Sequence, residues 1–148
     1  MTTQRAIRFM SPAQTRQLTA LAERACLSLS RFSGTRVEYN AVGIQMLDEW
    51  IDRHIRQFPR PSQEIVTIWA AFLGEVFRRR FKGEWALDTS SPAPRLGVLC
   101  PREDEGVIFV DVMDQIQRRI TQGMSQSLSY YYTVKGMEIK GWDGSPLE

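Results

Sequence analysis

Apolar residues recur at three- and four-residue steps in three successive stretches of the chain, the period of a helix with one buried face. Behind Ser11-Pro12, a serine cap followed by a proline at the first helical position, Leu18, Leu21, Ala22, Ala25, Cys26 and Leu29 form the first stripe, and Ser33-Gly34-Thr35 reads as the loop after it. Asn40 caps a second stretch in which Leu47, Trp50, Ile51, His54, Ile55 and Phe58 share a face, with Asp48, Glu49, Asp52, Arg53 and Arg56 opposed to them. Pro59 and Pro61 close it, since proline supplies no amide donor and restricts the residue before it. Ser62 caps the third and most apolar stretch: Ile65, Ile68, Trp69, Phe72, Leu73, Val76 and Phe77 cover one wide face, widened further by Val66, Ala70 and Ala71. A helix apolar over so much of its circumference is central to its domain. It ends in Arg78-Arg79-Arg80 and then Lys82-Gly83, cations for the carbonyl end of the dipole and glycine for the cap.

Beyond Gly83 the period falls to two. Glu84–Asp88 alternates as a half-buried strand, and Leu96–Cys100 and Val107–Val110 are short β-rich runs joined by the polar turn 102–106. Asp111, with Asp114 three residues on, opens a fourth helix carrying Val112, Ile116 and Ile120 and ending at Gly123. Residues 125–134 form one more short helix, followed by a glycine-containing tail from Gly136 in which Trp142 and Leu147 are the groups able to dock. Helices followed by clustered strands with short connections predict an α+β fold: a helical N-terminal half, a small antiparallel sheet of about three strands, and C-terminal helices packed on that sheet. The 148 residues carry no repeat and no linker long enough to separate two domains, so the expectation is one domain over 1–148.

Composition changes this picture little. Nineteen basic against seventeen acidic residues leave a net charge of +2, too small to imply a nucleic-acid or acidic-lipid partner. The first nine residues hold no apolar run of the kind a signal peptide needs, and the longest strongly apolar stretch, 65–77, is broken by Thr67, Gly74 and Glu75. Cys26 and Cys100 read as two buried free thiols rather than a disulfide framework, which together predicts a cytosolic protein.

Several chemistries find no support. One histidine and two distant cysteines offer neither the paired spacing of a metal site nor a second base, so no metal and no cofactor are implied. His54 lies on an apolar stripe, as a core or boundary histidine does, and no serine sits in a Gly-x-Ser-x-Gly turn. No glycine-rich phosphate loop occurs, and Glu103-Asp104-Glu105 lacks the alternating oxygen ligands of a calcium loop.

Three features remain. Gly74 inside a helix costs about 1 kcal/mol relative to alanine and calls for a close approach of another backbone at that point. Glu75 stands three and four residues before Arg78 and Arg79, where an intrahelical ion pair is available. The plain reading is a packing glycine and a surface ion pair; the sharper one has Glu75, Arg79 and Glu84 converging, beside Trp85, as a polar site. Arg78-Arg79-Arg80, Lys82 and Arg118-Arg119 form the second feature, either solvated helix ends or a receptor for an acidic partner, arginine being suited to bidentate contacts. The third is Tyr130-Tyr131-Tyr132. Successive helical positions diverge by about 100°, so one or two of these rings pack and one is exposed, with Tyr131 the candidate contact.

The order Phe-Leu-Gly-Glu-x-x-Arg-Arg (72–79), Gly-Glu-Trp (83–85), a strand, then Arg-x-x-x-Gly (119–123) and Ser-Leu (127–128) resembles a family of small stand-alone bacterial domains of unknown function. The resemblance spans Tyr39 to Tyr132, which marks 39–134 as a family-like core between an N-terminal helix and loop (1–38) and a tail (135–148). It implies a cytosolic accessory protein, with an immunity role beside a toxin among the roles it suggests, and it brings no catalytic residue with it. The expectation is therefore a module without catalysis that binds a protein partner through Glu75, Arg78, Arg79, Glu84, Trp85 and Tyr131, or a second copy of itself through Trp142 or a face of Tyr130–Tyr132. The alternative is a small-molecule binder or enzyme built on Glu75, Arg79 and Glu84.

Overall fold

The structure, a computed structural model, describes residues 6–141. A short strand β1 (Ile7–Phe9) precedes three helices, α1 (Pro12–Ser33), α2 (Ala41–Gln57) and α3 (Gln63–Arg80). Strands β2 (Glu84–Asp88), β3 (Arg95–Pro101) and β4 (Val107–Val110) follow, then α4 (Val112–Gln122), a single 3-10 turn and α5 (Leu128–Lys140). The fold is α+β, with four antiparallel strands in the order β1-β2-β3-β4.

Each helix begins where a side chain can satisfy its orphan amides. Ser11 accepts from the Gln14 amide while the Gln14 side chain accepts from the Ser11 amide, a closed capping box. Asn40, Ser62, Asp111 and Ser127 cap α2, α3, α4 and α5 by accepting from the amide three residues on. Helix α3 runs through the centre with an unbroken buried stretch from Ile68 to Phe77. Against it lies one face of the sheet, where Trp85, Val98 and Val110 stand side by side across three strands. Helix α1 contributes Leu18, Ala22, Ala25 and Leu29 to the same core, and α2 contributes Ile44, Leu47 and Ile51.

Four expectations change. The sheet has a fourth strand: Ile7–Phe9 pairs with Asp88–Ala86, and three residues are too few to show a period. Helix α1 continues to Ser33, where Gly34 takes the left-handed conformation (φ 74°) that ends it. Helix α5 runs through the predicted tail to Lys140: Gly136 is buried inside it, Ile139 anchors its last turn, and the Ile139 carbonyl accepts from the Glu103 amide of the β3–β4 turn at 2.9 Å. Trp142 and Leu147 lie outside the described residues.

The end of α3 also differs from the expected glycine cap. The amide of Gly83 bonds the Arg78 carbonyl, so the left-handed position belongs to Lys82 (φ 55°), not to glycine. Gly83 is held one residue later by packing, since a Cβ there would come within 2.6 Å of Val98 Cγ1.

Candidate functional site

Glu75 is fully buried near the end of α3. Its carboxylate accepts four hydrogen bonds: Oε1 from Arg78 Nε (2.6 Å) and Trp85 Nε1 (2.9 Å), Oε2 from Arg78 Nη2 (2.8 Å) and Arg79 Nε (2.9 Å). Arg78 binds bidentately from the next turn, Arg79 supports it from the other side, and the indole reaches across from β2. Gly74 makes that reach feasible. A Cβ on Gly74 would sit 2.0 Å from the Trp85 ring, so the close approach predicted for this glycine is by an indole rather than by backbone. Burial alone would raise the Glu75 carboxyl, but the bonds from Arg78, Trp85 and Arg79 outweigh it and hold the group below its ordinary value. With about four acceptor sites on a carboxylate and four donors on them, none is left to take a substrate proton. Glu75 organises arginines here; it is not poised as an acid or base.

Beside this cluster a groove of about 650 Å³ runs between α1 and the segment leading into α2. Cys26, Leu27, Val37 and Tyr39 form its apolar part, and Leu27 remains 62% exposed. Arg79 lines it as well, its guanidinium carbon 4.1 Å from the centre of the Tyr39 ring, which in turn stacks on Phe72 with centroids 5.4 Å apart. Glu23, Arg36 and Glu38 complete the rim, and the side chains of these three make no ion pair or hydrogen bond among the described residues. The Cys26 thiol donates to the Val37 carbonyl at 3.7 Å. Burial pushes both Cys26 and the Tyr39 phenol upward, so neither is an ionised nucleophile near neutral pH. Cys100, buried under the sheet, is pushed up to about 12.

The predicted site residues divide. Glu75, Arg78, Arg79 and Trp85 come together. Glu84 does not join them: it precedes Trp85 on β2, so the pleat turns it to the other face of the sheet, where at the strand's end it is exposed. Tyr131 is also elsewhere, half-buried with its ring edge-on to Phe77 at 6.0 Å, while Tyr132 is buried and Tyr130 is 70% exposed. The expected arginine patch is broken up as well. Arg78 and Arg79 are tied to Glu75, and Arg118 pairs with Asp114 on its own helix. Arg119 is fully buried, which corrects its reading as a solvated helix end or a receptor for a partner.

Arg119 reaches into a second buried cluster, which sequence reasoning missed. Its Nε donates to Asp48 Oδ1 at 2.8 Å and its Nη2 to Asp52 Oδ1 at 2.5 Å. Asp48, expected on the polar face of α2, is 4% exposed. Besides Arg119 it accepts from the Leu128 and Ser129 amides and from Ser127 Oγ, so it caps α5 from another helix. The signal was present in the spacing: Asp48 follows Ile44 and Leu47 and precedes Ile51 on the buried stripe, and Arg119 follows Val112 and Ile116.

No family model matches the chain, and neither the curated proteins nor the solved structures yield a match to it. Among the described residues no helix is long and apolar enough to cross a membrane, and no three His, Cys, Asp or Glu side chains are grouped to hold a metal ion.

Proposed function

We propose that this protein is a non-catalytic binding module for another protein, of the accessory or immunity type, and that it docks its partner in the groove between α1 and Tyr39. The observation that carries this reading is the groove's lining: an apolar strip with exposed Leu27, rimmed by Glu23, Arg36 and Glu38, charges that have no partner within the described chain. An apolar centre inside a polar rim is how protein interfaces are built. The saturated carboxylate of Glu75 supports the absence of acid–base chemistry in the same place.

The test is capture of a partner from lysate of the source organism, followed by titration of the purified pair. One partner should bind in a defined stoichiometry, with affinity weakened about tenfold or more by Arg79→Ala, the loss expected for a central interface arginine. Unchanged affinity in Arg79→Ala overturns the groove as the surface. A second copy of this chain as the partner would show as a dimer whose dissociation follows concentration in sedimentation.

The groove's volume favours a second reading, a small-molecule binder, because ligand pockets span about 300–1,000 Å³. That reading keeps Arg79 and Tyr39 but not Glu84. It predicts thermal stabilisation by a metabolite fraction in the native protein that is lost in Arg79→Ala.

A further inference from the structure

Arg79 is held unusually firmly for an arginine at the surface. Its Nε is committed to Glu75 Oε2, and its guanidinium plane rests on Tyr39, itself backed by Phe72. Two restraints from different directions remove most of the rotamer freedom that an arginine gives up on binding, so much of that cost is met by folding. The restraints leave one edge unused. Neither terminal nitrogen of Arg79 makes a hydrogen bond among the described residues, and these two nitrogens form the edge that receives a carboxylate through parallel bonds.

Glu75 itself needs explaining. A buried carboxylate with its arginines stabilises a fold no better than well-packed apolar side chains of similar volume. What it does supply is direction, since it fixes where Arg79 points. The rim then selects among anions. Arg36 and Arg79 against Glu23 and Glu38 balance the groove's charge, which favours a ligand carrying both signs over a polyanion, and the two glutamates accept a cation placed beside a single carboxylate.

We infer that the groove takes a mixed-charge segment of the partner protein whose acidic side chain, flanked by an apolar residue, pairs end-on with Arg79, and that Glu75 is the positioning residue for that arginine. This inference rests on the protein-binding reading. Leu27 and Val37 receive the apolar neighbour, and Glu23 and Glu38 a basic one.

The experiment titrates two capped peptides into isotope-labelled protein: one with the order leucine, glutamate, leucine, lysine, and a twin with glutamine for glutamate. The Arg79 Nε–Hε resonance and the Leu27 and Val37 amides are read by NMR. The glutamate peptide should move all three and bind about tenfold more tightly than its twin, the factor that one charge-assisted bidentate contact supplies. Arg79→Lys keeps the charge but loses the planar fork, and should cost most of that factor. Glu75→Gln should weaken binding in the same direction, and Arg79→Lys carries the test if that variant folds poorly. Equal affinity of the two peptides, or no effect of Arg79→Lys, overturns the anchor. If Leu27 and Val37 respond alike to both peptides, the groove remains a docking surface and only the anchor falls. If no groove signal moves at millimolar peptide, the anchor falls, while the protein-binding reading is decided separately by capture with Arg79→Ala. Hexanoate binding as tightly as the glutamate peptide would assign the site to free acids and overturn the choice of a peptide.

Discussion

Two buried carboxylates, Asp48 and Glu75, each accept four hydrogen bonds and each bind arginine, yet they do different things. The donors to Asp48 come from residues 119 and 127–129, on α4 and at the start of α5, and its arginine has no exposed surface. The donors to Glu75 are three, four and ten residues away, and its arginines emerge at 31% and 43% side-chain exposure. The first cluster joins three helices and keeps its guanidinium wholly inside. The second is open at one end and displays guanidinium edges to solvent beside a groove. Equal saturation of a carboxylate therefore says nothing about its role; where its donors come from, and where they lead, does.

This contrast predicts a ranking of stability losses. Asp48→Ala should be the most damaging, because it leaves buried Arg119 with the half-buried Asp52 as its one remaining carboxylate and the Leu128 and Ser129 amides of α5 without their acceptor; the expected cost is about 3–5 kcal/mol in urea unfolding. A loss no larger than that of Glu75→Gln would break the contrast. Gly74→Ala comes next at about 1–3 kcal/mol, since the added methyl overlaps the Trp85 ring, and a change in tryptophan fluorescence should accompany it.

Glu75→Gln should cost about 1–3 kcal/mol, the range for losing hydrogen bonds to a charged group, and its effect should depend on pH. Because the folded-state carboxyl lies below its ordinary value, its stabilising contribution is complete above that ordinary value and is lost as pH falls through the lowered folded-state value. Melting temperature against pH should thus decline less steeply on the acid side in Glu75→Gln than in the unaltered protein. An identical acid limb in both would show that Glu75 is not the titrating group.

Lys82→Gly gives the smallest change and the opposite sign. Relieving a lysine at φ 55° should stabilise the protein by up to about 1 kcal/mol, leaving both carboxylate clusters and partner affinity untouched. A loss of affinity in that variant would extend the binding surface from Arg79 towards the end of α3.

The chain's local chemistry determined much of this architecture. Ser11, Asn40, Ser62 and Asp111 mark helix starts because a short oxygen-bearing side chain satisfies amides three residues on, an interaction complete within four residues. The change from a period of three or four to a period of two at Gly83 marked β2, and the spacing of Glu75, Arg78 and Arg79 carried their ion pairs, because the helix alone brings these side chains together. Tertiary structure decided the rest. Ile7 pairs with Asp88 across the length of three helices, so β1 exists only because β2 offers it an edge. Asp48 and Glu75 are buried because donors were brought to them, and an aspartate amid an apolar stripe does not announce an arginine 71 residues away. Glu84 left the candidate site through nothing more than the pleat of β2, while Arg79, which a run of three arginines presents as one of many, was singled out by Tyr39 and Glu75. Periodicity reports which side of an element is apolar and which charges lie along it; only packing reports which partners those charges meet and which were left facing the groove.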